Sequence, residues 1–178
     1  MPLPKVVLRD LIMEDAEDRY TWSLDREITK YLSFPDKYPP FTMDETKEWV
    51  RVCKEGTNGY FQKTILAEDG KSIGWVDLKR IDNINKNAEM GIAIGDRNYL
   101  GKGYGSAAIY EILRIGFFEL SLNKIWLRVD FDNTNATNCY ERCKFKLDGI
   151  MRQDRWRRGK FIARCYMSML KEDYLKLR

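Results

Sequence analysis

The sequence predicts a mixed α/β fold built on a mostly antiparallel sheet, and three observations carry that prediction. Apolar and polar residues alternate in short runs that pair off as hairpins. Runs at helical spacing separate only some of those strands, which argues against a uniform βαβ repeat. A glycine-rich stretch, Arg97-Asn98-Tyr99-Leu100-Gly101-Lys102-Gly103-Tyr104-Gly105-Ser106, joins one strand to one helix.

Residues 6–9 read as a short first strand. A helix follows over about 15–23 with Ala16, Tyr20 and Leu24 inward, and residues 25–32 form a second short helix. Phe34-Pro35 and Pro39-Pro40 interrupt regular structure. Thr42 and Glu45 stand at capping-box spacing before a helix with an apolar stripe of Trp49, Val50 and Cys53, which Gly56 and Gly59 end. Residues 60–67 and 72–82 are strands joined by the turn Glu68-Asp69-Gly70-Lys71. A polar turn over 83–87 leads to a strand over 88–94, then to the glycine loop and a helix over 107–120. Residues 124–129 form a strand, and Asp132-Asn133-Thr134-Asn135 caps a helix running to about Cys143. Strands over 145–153 and 161–170 are joined through the basic segment 156–160. The order is β, α, α, α, β-β-β, α, β, α, β-β.

At 178 residues, 44% hydrophobic and 33% charged, the chain reads as one soluble globular domain over residues 1–178. No apolar run approaches the roughly 18 residues of a membrane span, so no membrane partner is expected. Residues 1–5 show no signal-peptide pattern, which makes the cytoplasm the expected compartment. Cys53, Cys139, Cys143 and Cys165 form no C-x-x-C pair and the chain has no histidine, so no metal site is expected and the thiols read as buried and free. Without histidine, proton transfer falls to carboxylate, tyrosine, lysine, cysteine or water. The net charge of +4 does not call for nucleic acid, and no DNA partner is expected. Residues 152–160 hold five basic side chains in nine, either a solvated hairpin tip or a contact for a cofactor phosphate, a neighbouring subunit or RNA.

Strand, glycine loop and helix together aim unpaired backbone N–H groups at an anion. The helix dipole adds about half a positive charge there. Glycines in such numbers also mark ordinary turns that need positive φ. A P-loop is excluded because Gly105 is followed by Ser106-Ala107 rather than Lys-Ser or Lys-Thr. A dinucleotide fingerprint would open the first βαβ unit, whereas this loop lies past mid-chain.

Three segments together resemble the GNAT superfamily of acetyl-CoA-dependent N-acetyltransferases. Ala88-Glu89-Met90-Gly91-Ile92-Ala93-Ile94 is similar to the family's fourth strand, and Leu100-Gly101-Lys102-Gly103-Tyr104-Gly105 to its pyrophosphate loop. Val129-Asp130-Phe131-Asp132-Asn133, Ala136 and Cys139-Tyr140-Glu141-Arg142-Cys143-Lys144-Phe145 resemble its fifth strand, Asn-containing loop and Tyr-Glu-Lys-x-Gly-Phe helix end. Leu8-Arg9, Ile28-Thr29-Lys30-Tyr31-Leu32 and Trp49 resemble the branch of ribosomal-protein N-terminal and spermidine acetyltransferases. Three positions depart from the pattern: Leu100 where Arg or Gln is frequent, Lys144 in place of glycine, and Ala163 where relatives often carry an acid.

The resemblance implies about seven strands with helices on both faces and the fourth and fifth strands splayed. It implies acetyl-CoA as co-substrate and a primary amine as acceptor. A protein N-terminal α-amine is the leading expectation. A polyamine or other small amine is the alternative, and a non-catalytic acetyl-CoA sensor is the alternative of another class. A homodimer is compatible with it. The backbone of Ile92, Ala93 and Ile94 would pair with the pantetheine arm. Leu100, Gly101, Lys102, Gly103, Tyr104, Gly105 and Ser106 would hold the pyrophosphate. Asn133 would bond the arm, cap a helix, or do both. Tyr140 would be the general acid, unless it only packs on its helix.

Glu89 is the first candidate for base or amine-binding group, because alternation sets it with Gly91 and Ala93 opposite Met90, Ile92 and Ile94. Its alternative is a strand-start residue facing water. Asp77 on the neighbouring strand is the second candidate, against an exposed strand acid. Glu27, Glu45, Asp77 and Glu89 together would ring a polyamine. Tyr31 and Phe34, with Tyr38 and Phe41, would cover the acceptor site or form a satellite core.

Overall fold

The structure, a computed structural model, describes residues 2–56 and 59–177. The elements are β1 (Val7–Arg9), α1 (Asp15–Ser23), α2 (Arg26–Thr29), α3 (Met43–Lys54), β2 (Phe61–Leu66), β3 (Ser72–Asp82) and β4 (Asn87–Ile94). They continue with α4 (Tyr104–Arg114), β5 (Lys124–Asp130), α5 (Thr134–Arg142), β6 (Lys146–Arg157), β7 (Lys160–Leu170) and α6 (Lys171–Leu175). One seven-stranded sheet runs in the order β1-β2-β3-β4-β5-β7-β6. Neighbours are antiparallel except β4 and β5, which are parallel.

Pairing between β4 and β5 covers only Asn87↔Lys124, Ala88↔Ile125 and Glu89↔Trp126. Beyond Glu89, β4 stays paired to β3 through Ile94↔Gly74 while its other edge has left β5. This is the expected splay.

The two faces of the sheet differ in chemistry. Val76, Leu78, Met90, Ile125 and Leu127 pack with Ile109, Ile112, Leu113 and Phe117 of α4 and the turn after it. On the opposite face α1 and α3 cover β2 and β3. There Gln62 pairs with Asp77 and Asp77 with Gly91, while Thr64 pairs with Trp75 and Trp75 with Ala93.

Several boundaries differ from expectation for local reasons. The helix expected over 107–120 starts at Tyr104, because Gly103 adopts φ +88° and serves as its N-cap. It ends as α-helix at Arg114 and continues as a π-helical turn, Ile115–Glu119. The face of α1 is rotated from the one expected: Asp15, Ala16, Arg19, Trp22 and Ser23 are buried, while Tyr20 and Leu24 are only partly so. Of the buried polar residues, Asp15 and Arg19 find partners outside the helix, whereas the Ser23 hydroxyl donates to Tyr20 O within it. The basic turn shrinks to Arg158-Gly159, since Arg157 and Lys160 pair as strand residues. Both turn residues have positive φ, the geometry of a tight two-residue hairpin. Helix α6 was not expected.

Helix α3 carries the expected capping box: Thr42 Oγ1 accepts from the Glu45 N–H, and Glu45 accepts from the Thr42 N–H. Helix α5 ends with paired closing bonds, Phe145 N–H to Tyr140 O (3.0 Å) and Lys144 N–H to Glu141 O (2.9 Å). That closure needs a left-handed residue. Lys144 fills the position at φ +69°, which explains why a glycine is common there.

Candidate active site

Gly101 and Gly103 sit at φ +70° and +88°. Gly103 has no side chain to cap α4, so the N–H groups of the first turn keep no intrahelical or side-chain acceptor. A short 3₁₀ turn, Arg97–Tyr99, leads into this loop and is itself capped by Asp96, which accepts from the Asn98 N–H at 2.9 Å. The Arg97 guanidinium forms an ion pair with Asp25, tying the loop to the start of α2.

A cavity of about 790 Å³ runs from this loop into the splay. Ile92, Ala93 and Ile94 form one wall; Leu100, Gly101, Gly103, Gly105 and Ser106 form one end; Asn133, Ala136, Cys139 and Tyr140 of α5 and the turn before it form another wall. Tyr31 and Glu27 reach it from the α2 side. Lys102 and Tyr104 do not line it: Lys102 is exposed, and the Tyr104 ring packs edge-on against Tyr99 at 5.1 Å. Asn133 does cap α5, accepting from the Ala136 N–H at 3.3 Å, while also facing the cavity.

Burial pushes the Tyr140 phenol above its ordinary value, and the nearby charges of Cys139, Cys143 and Asp77 add to this. Its ring packs on Phe145 with centroids 5.9 Å apart. The phenol therefore keeps its proton, as a general acid must.

Asp77 and Glu89 lie on the polar face of the sheet rather than in the cavity wall. Both are buried, at 4% exposure each, but in different company. Glu89 accepts both guanidinium bonds of Arg128 (2.9 and 3.0 Å), and Arg80 stands 3.4 Å away. Its two oxygens are thus taken up. Among the described residues no hydrogen-bond partner reaches Asp77 Oδ1. The nearest cation, Lys79, is 3.6 Å from it. Burial raises the Asp77 carboxyl above its ordinary value, although Lys79, Gln62 and Arg19 pull it back. A Cβ on Gly91 would come within 3.0 Å of both Asp77 oxygens and 3.1 Å of the Lys79 ammonium. These two side-chain ends lie nearest to β4 at that point.

Around Asp77 lies a cluster that the sequence pattern did not disclose. The Arg19 guanidinium is sandwiched between the rings of Trp49 (4.9 Å) and Trp75 (5.1 Å), and Trp22 stacks on Trp75. Burial lowers the Arg19 pKa to about 10, against the opposing charges of Asp15, Cys53 and Asp77. Asp15 accepts from Arg9 (2.7 Å), from the Ile12 N–H (2.9 Å) and from Thr64 (2.8 Å). Burial alone would raise the Asp15 carboxyl, but these bonds outweigh it and hold it below its ordinary value. The signal was present: Asp15, Arg19 and Trp22 recur at helical spacing with hardly an apolar alternative on that face.

The expected aromatic cover divides. Tyr31 faces the cavity between the glycine loop and α5, its hydroxyl donating to Asp132 O (3.2 Å). Phe34 packs edge-on against Phe41 (4.9 Å) and, with Tyr38, lines a neighbouring cavity of about 670 Å³. The expected acidic ring does not assemble as four. Glu45 belongs to its capping box and Glu89 to Arg128, leaving Glu27 at the cavity and Asp77 on the polar face. Part of the basic strip turns inward. Arg155 donates to Asp130 and to the Tyr31 and Leu32 carbonyls, and Arg157 bridges Asp130 and Asp132. These contacts fasten the end of α2 to the β6–β7 hairpin.

A splayed parallel pair inside an antiparallel sheet, with a glycine loop at one end of the gap and Tyr140 along it, is the arrangement that the resemblance to the GNAT superfamily implies. The Acetyltransferase (GNAT) domain family matches residues 5–146, and the chain belongs to it. It is 30% identical over 175 residues to an N-acetyltransferase designated p20 of Bacillus licheniformis, covering 96% of this chain and 95% of that one. It is 28% identical to a spermidine N(1)-acetyltransferase of Vibrio cholerae, covering 96% of each. The crystal structure of a Vibrio cholerae spermidine N-acetyltransferase with CoA and spermine superimposes with a TM-score of 0.84 at 27% identity, covering 96% of this chain and 98% of that one. The protein is therefore an acetyl-CoA-dependent acetyltransferase. Its own residues fit that co-substrate: left-handed glycines, an uncapped helix start, and a β4 edge that β5 leaves unpaired from Met90 onward.

Proposed function

We propose that the protein acetylates a small polyamine, with Asp77 as the group that receives the amine. The relatives favour this acceptor over a protein N-terminal α-amine, which the sequence alone put first. The observation that carries it is the buried Asp77 carboxylate beside Gly91, whose Oδ1 accepts no hydrogen bond among the described residues and meets only the longer Lys79 ion pair, and whose charge acts on Tyr140. An alkyl amine has a pKa of about 10.4 and is neutral less than roughly a tenth of a per cent of the time at pH 7. An α-amine, at about 8, is neutral several per cent of the time and needs a base far less. A buried carboxylate is suited to the first kind.

Acetyl-CoA supplies the acetyl group as a thioester. The β4 backbone at Ile92, Ala93 and Ile94 offers its unpaired edge to the pantetheine amides, and the Gly101 to Ser106 loop offers N–H groups to the pyrophosphate. Asp77 draws the ammonium in and takes its proton. Tyr140 delivers a proton to the departing sulfur. Glu89 acts at one remove, holding Arg128 across the last β4–β5 pair and so fixing where the splay begins.

The test is thiol release from acetyl-CoA with spermidine, spermine and an aminoglycoside, set beside peptides with free Ser, Ala and Thr N-termini. Turnover with the polyamines at least about tenfold above every peptide is expected, although amine basicity alone would favour the peptide α-amines at pH 7. Faster turnover with a peptide overturns the proposal.

A further inference from the structure

Cys139 and Cys143 stand one turn apart on α5 and the residue that follows it, and the transfer reaction uses neither. Cys143, at 1% exposure, belongs to the core, and Cys53 and Cys165 are buried as well. Cys139 is half-buried and lines the cofactor cavity beside Ala136 and Tyr140. Its Sγ lies 3.4 Å from Oγ of Ser106, in the first turn of α4. One thiol of the four therefore faces the cavity, at the junction of its glycine end and its α5 wall. The Ser106 hydroxyl is within hydrogen-bond distance of the Cys139 sulfur, and the neighbouring Cys143 thiol, Ser106 and Arg142 draw Cys139 below the ordinary thiol value against its own burial. The neighbouring Cys139 and burial push the Cys143 thiol up. The thiolate is the reactive form of cysteine.

We infer that Cys139 is a modification site that captures coenzyme A from coenzyme A disulfide, and that capture closes the cavity to acetyl-CoA. The inference rests on the acetyl-CoA site assigned above. The Cys139 thiolate attacks one sulfur of the disulfide. A bond forms between Cys139 Sγ and that sulfur, the original S–S bond breaks, and the second coenzyme A departs as thiolate. One disulfide is exchanged for another, so no further oxidant or reductant takes part. The captured moiety carries the same pyrophosphate that the glycine loop accepts. The loop therefore raises the local concentration of this disulfide above that of any disulfide lacking it. Reduction by an ordinary dithiol reverses capture and reopens the site.

The full chain is incubated with coenzyme A disulfide or, at the same concentration, with oxidised glutathione, and followed by intact mass and peptide mapping. A single coenzyme A adduct on Cys139, removed by dithiothreitol, is expected to form at least about tenfold faster than the glutathione adduct, as docking of the nucleotide end requires. Saturating acetyl-CoA should slow it. Cys139→Ser should carry no adduct, and Cys143→Ala should react more slowly because the neighbouring thiol that lowers Cys139 is gone. Equal rates with the two disulfides, an adduct on another cysteine, or no adduct overturns the inference. Calorimetry with acetyl-CoA separates the two levels: binding without capture overturns capture alone, whereas no binding overturns the cofactor site as well.

Discussion

On the α4 side of the sheet, Val76, Leu78, Met90 and Ile125 meet Ile109, Ile112 and Leu113. One residue along the same strands, on the other side, Asp77 and Glu89 are buried with Arg19 and Arg128 close by. The first face is a close-packed core whose worth scales with the apolar area withdrawn from water. The second holds charges that cost free energy to bury unless they are paired. Glu89 accepts both guanidinium bonds of Arg128, whereas Asp77 Oδ1 accepts no hydrogen bond among the described residues, and the proposed role of Asp77 rests on that difference. The strands thus keep their apolar core side chains and their buried charges one step apart.

The contrast can be broken from either side. Ile112 is wholly buried against the apolar face, so Ile112→Ala should cost about 2–5 kcal/mol of stability, read by denaturant unfolding, while the affinity of the folded fraction for acetyl-CoA stays near wild type. Tyr140→Phe should do the reverse. It keeps the ring against Phe145 and removes the proton, lowering turnover by about 100-fold with acetyl-CoA affinity changed less than about twofold. An undiminished rate across the pH range would remove Tyr140 as the acid.

Gly103→Asp should weaken acetyl-CoA binding by at least about tenfold in calorimetry. It forces a non-glycine residue to φ +88° and sets a negative charge at the helix start. Lys144→Gly should have the smallest effect and the opposite sign. Relieving the left-handed lysine at φ +69° should add about 1 kcal/mol of stability with no change in turnover.

Much of the frame was legible because its signals are local. The bounds of α1 and β3, the Thr42–Glu45 capping box and the alternation that divides Glu89, Gly91 and Ala93 from Met90, Ile92 and Ile94 all follow from neighbours within a few residues. The glycine loop and the splayed pair were legible through the family resemblance. What escaped depends on partners distant in sequence. Glu89 looks uncommitted until Arg128, 39 residues on, folds against it. Asp15 and Arg19 look too polar for a helix core until Thr64, Trp49 and Trp75 enclose them. Arg155 and Arg157 read as a solvated basic strip until Asp130 is placed beneath them. Tertiary pairing, not propensity, decides the fate of each of these charges.

The most direct measurement is the pH dependence of kcat/KM for spermidine in the wild type and in Asp77→Asn. Burial raises the Asp77 carboxyl, so the group is protonated, and inactive as a base, further up the pH scale than an ordinary carboxylate. The sign for stability agrees: a carboxyl raised in the folded state favours folding below its unfolded pKa, and that contribution is lost as pH climbs through the raised value. Wild-type kcat/KM should therefore climb with pH through an acid limb displaced above the ordinary carboxylate range. Asp77→Asn should lower it by about 100-fold near neutrality and abolish that limb. An Asp77→Asn profile parallel to the wild type, with the same limb, would contradict the account.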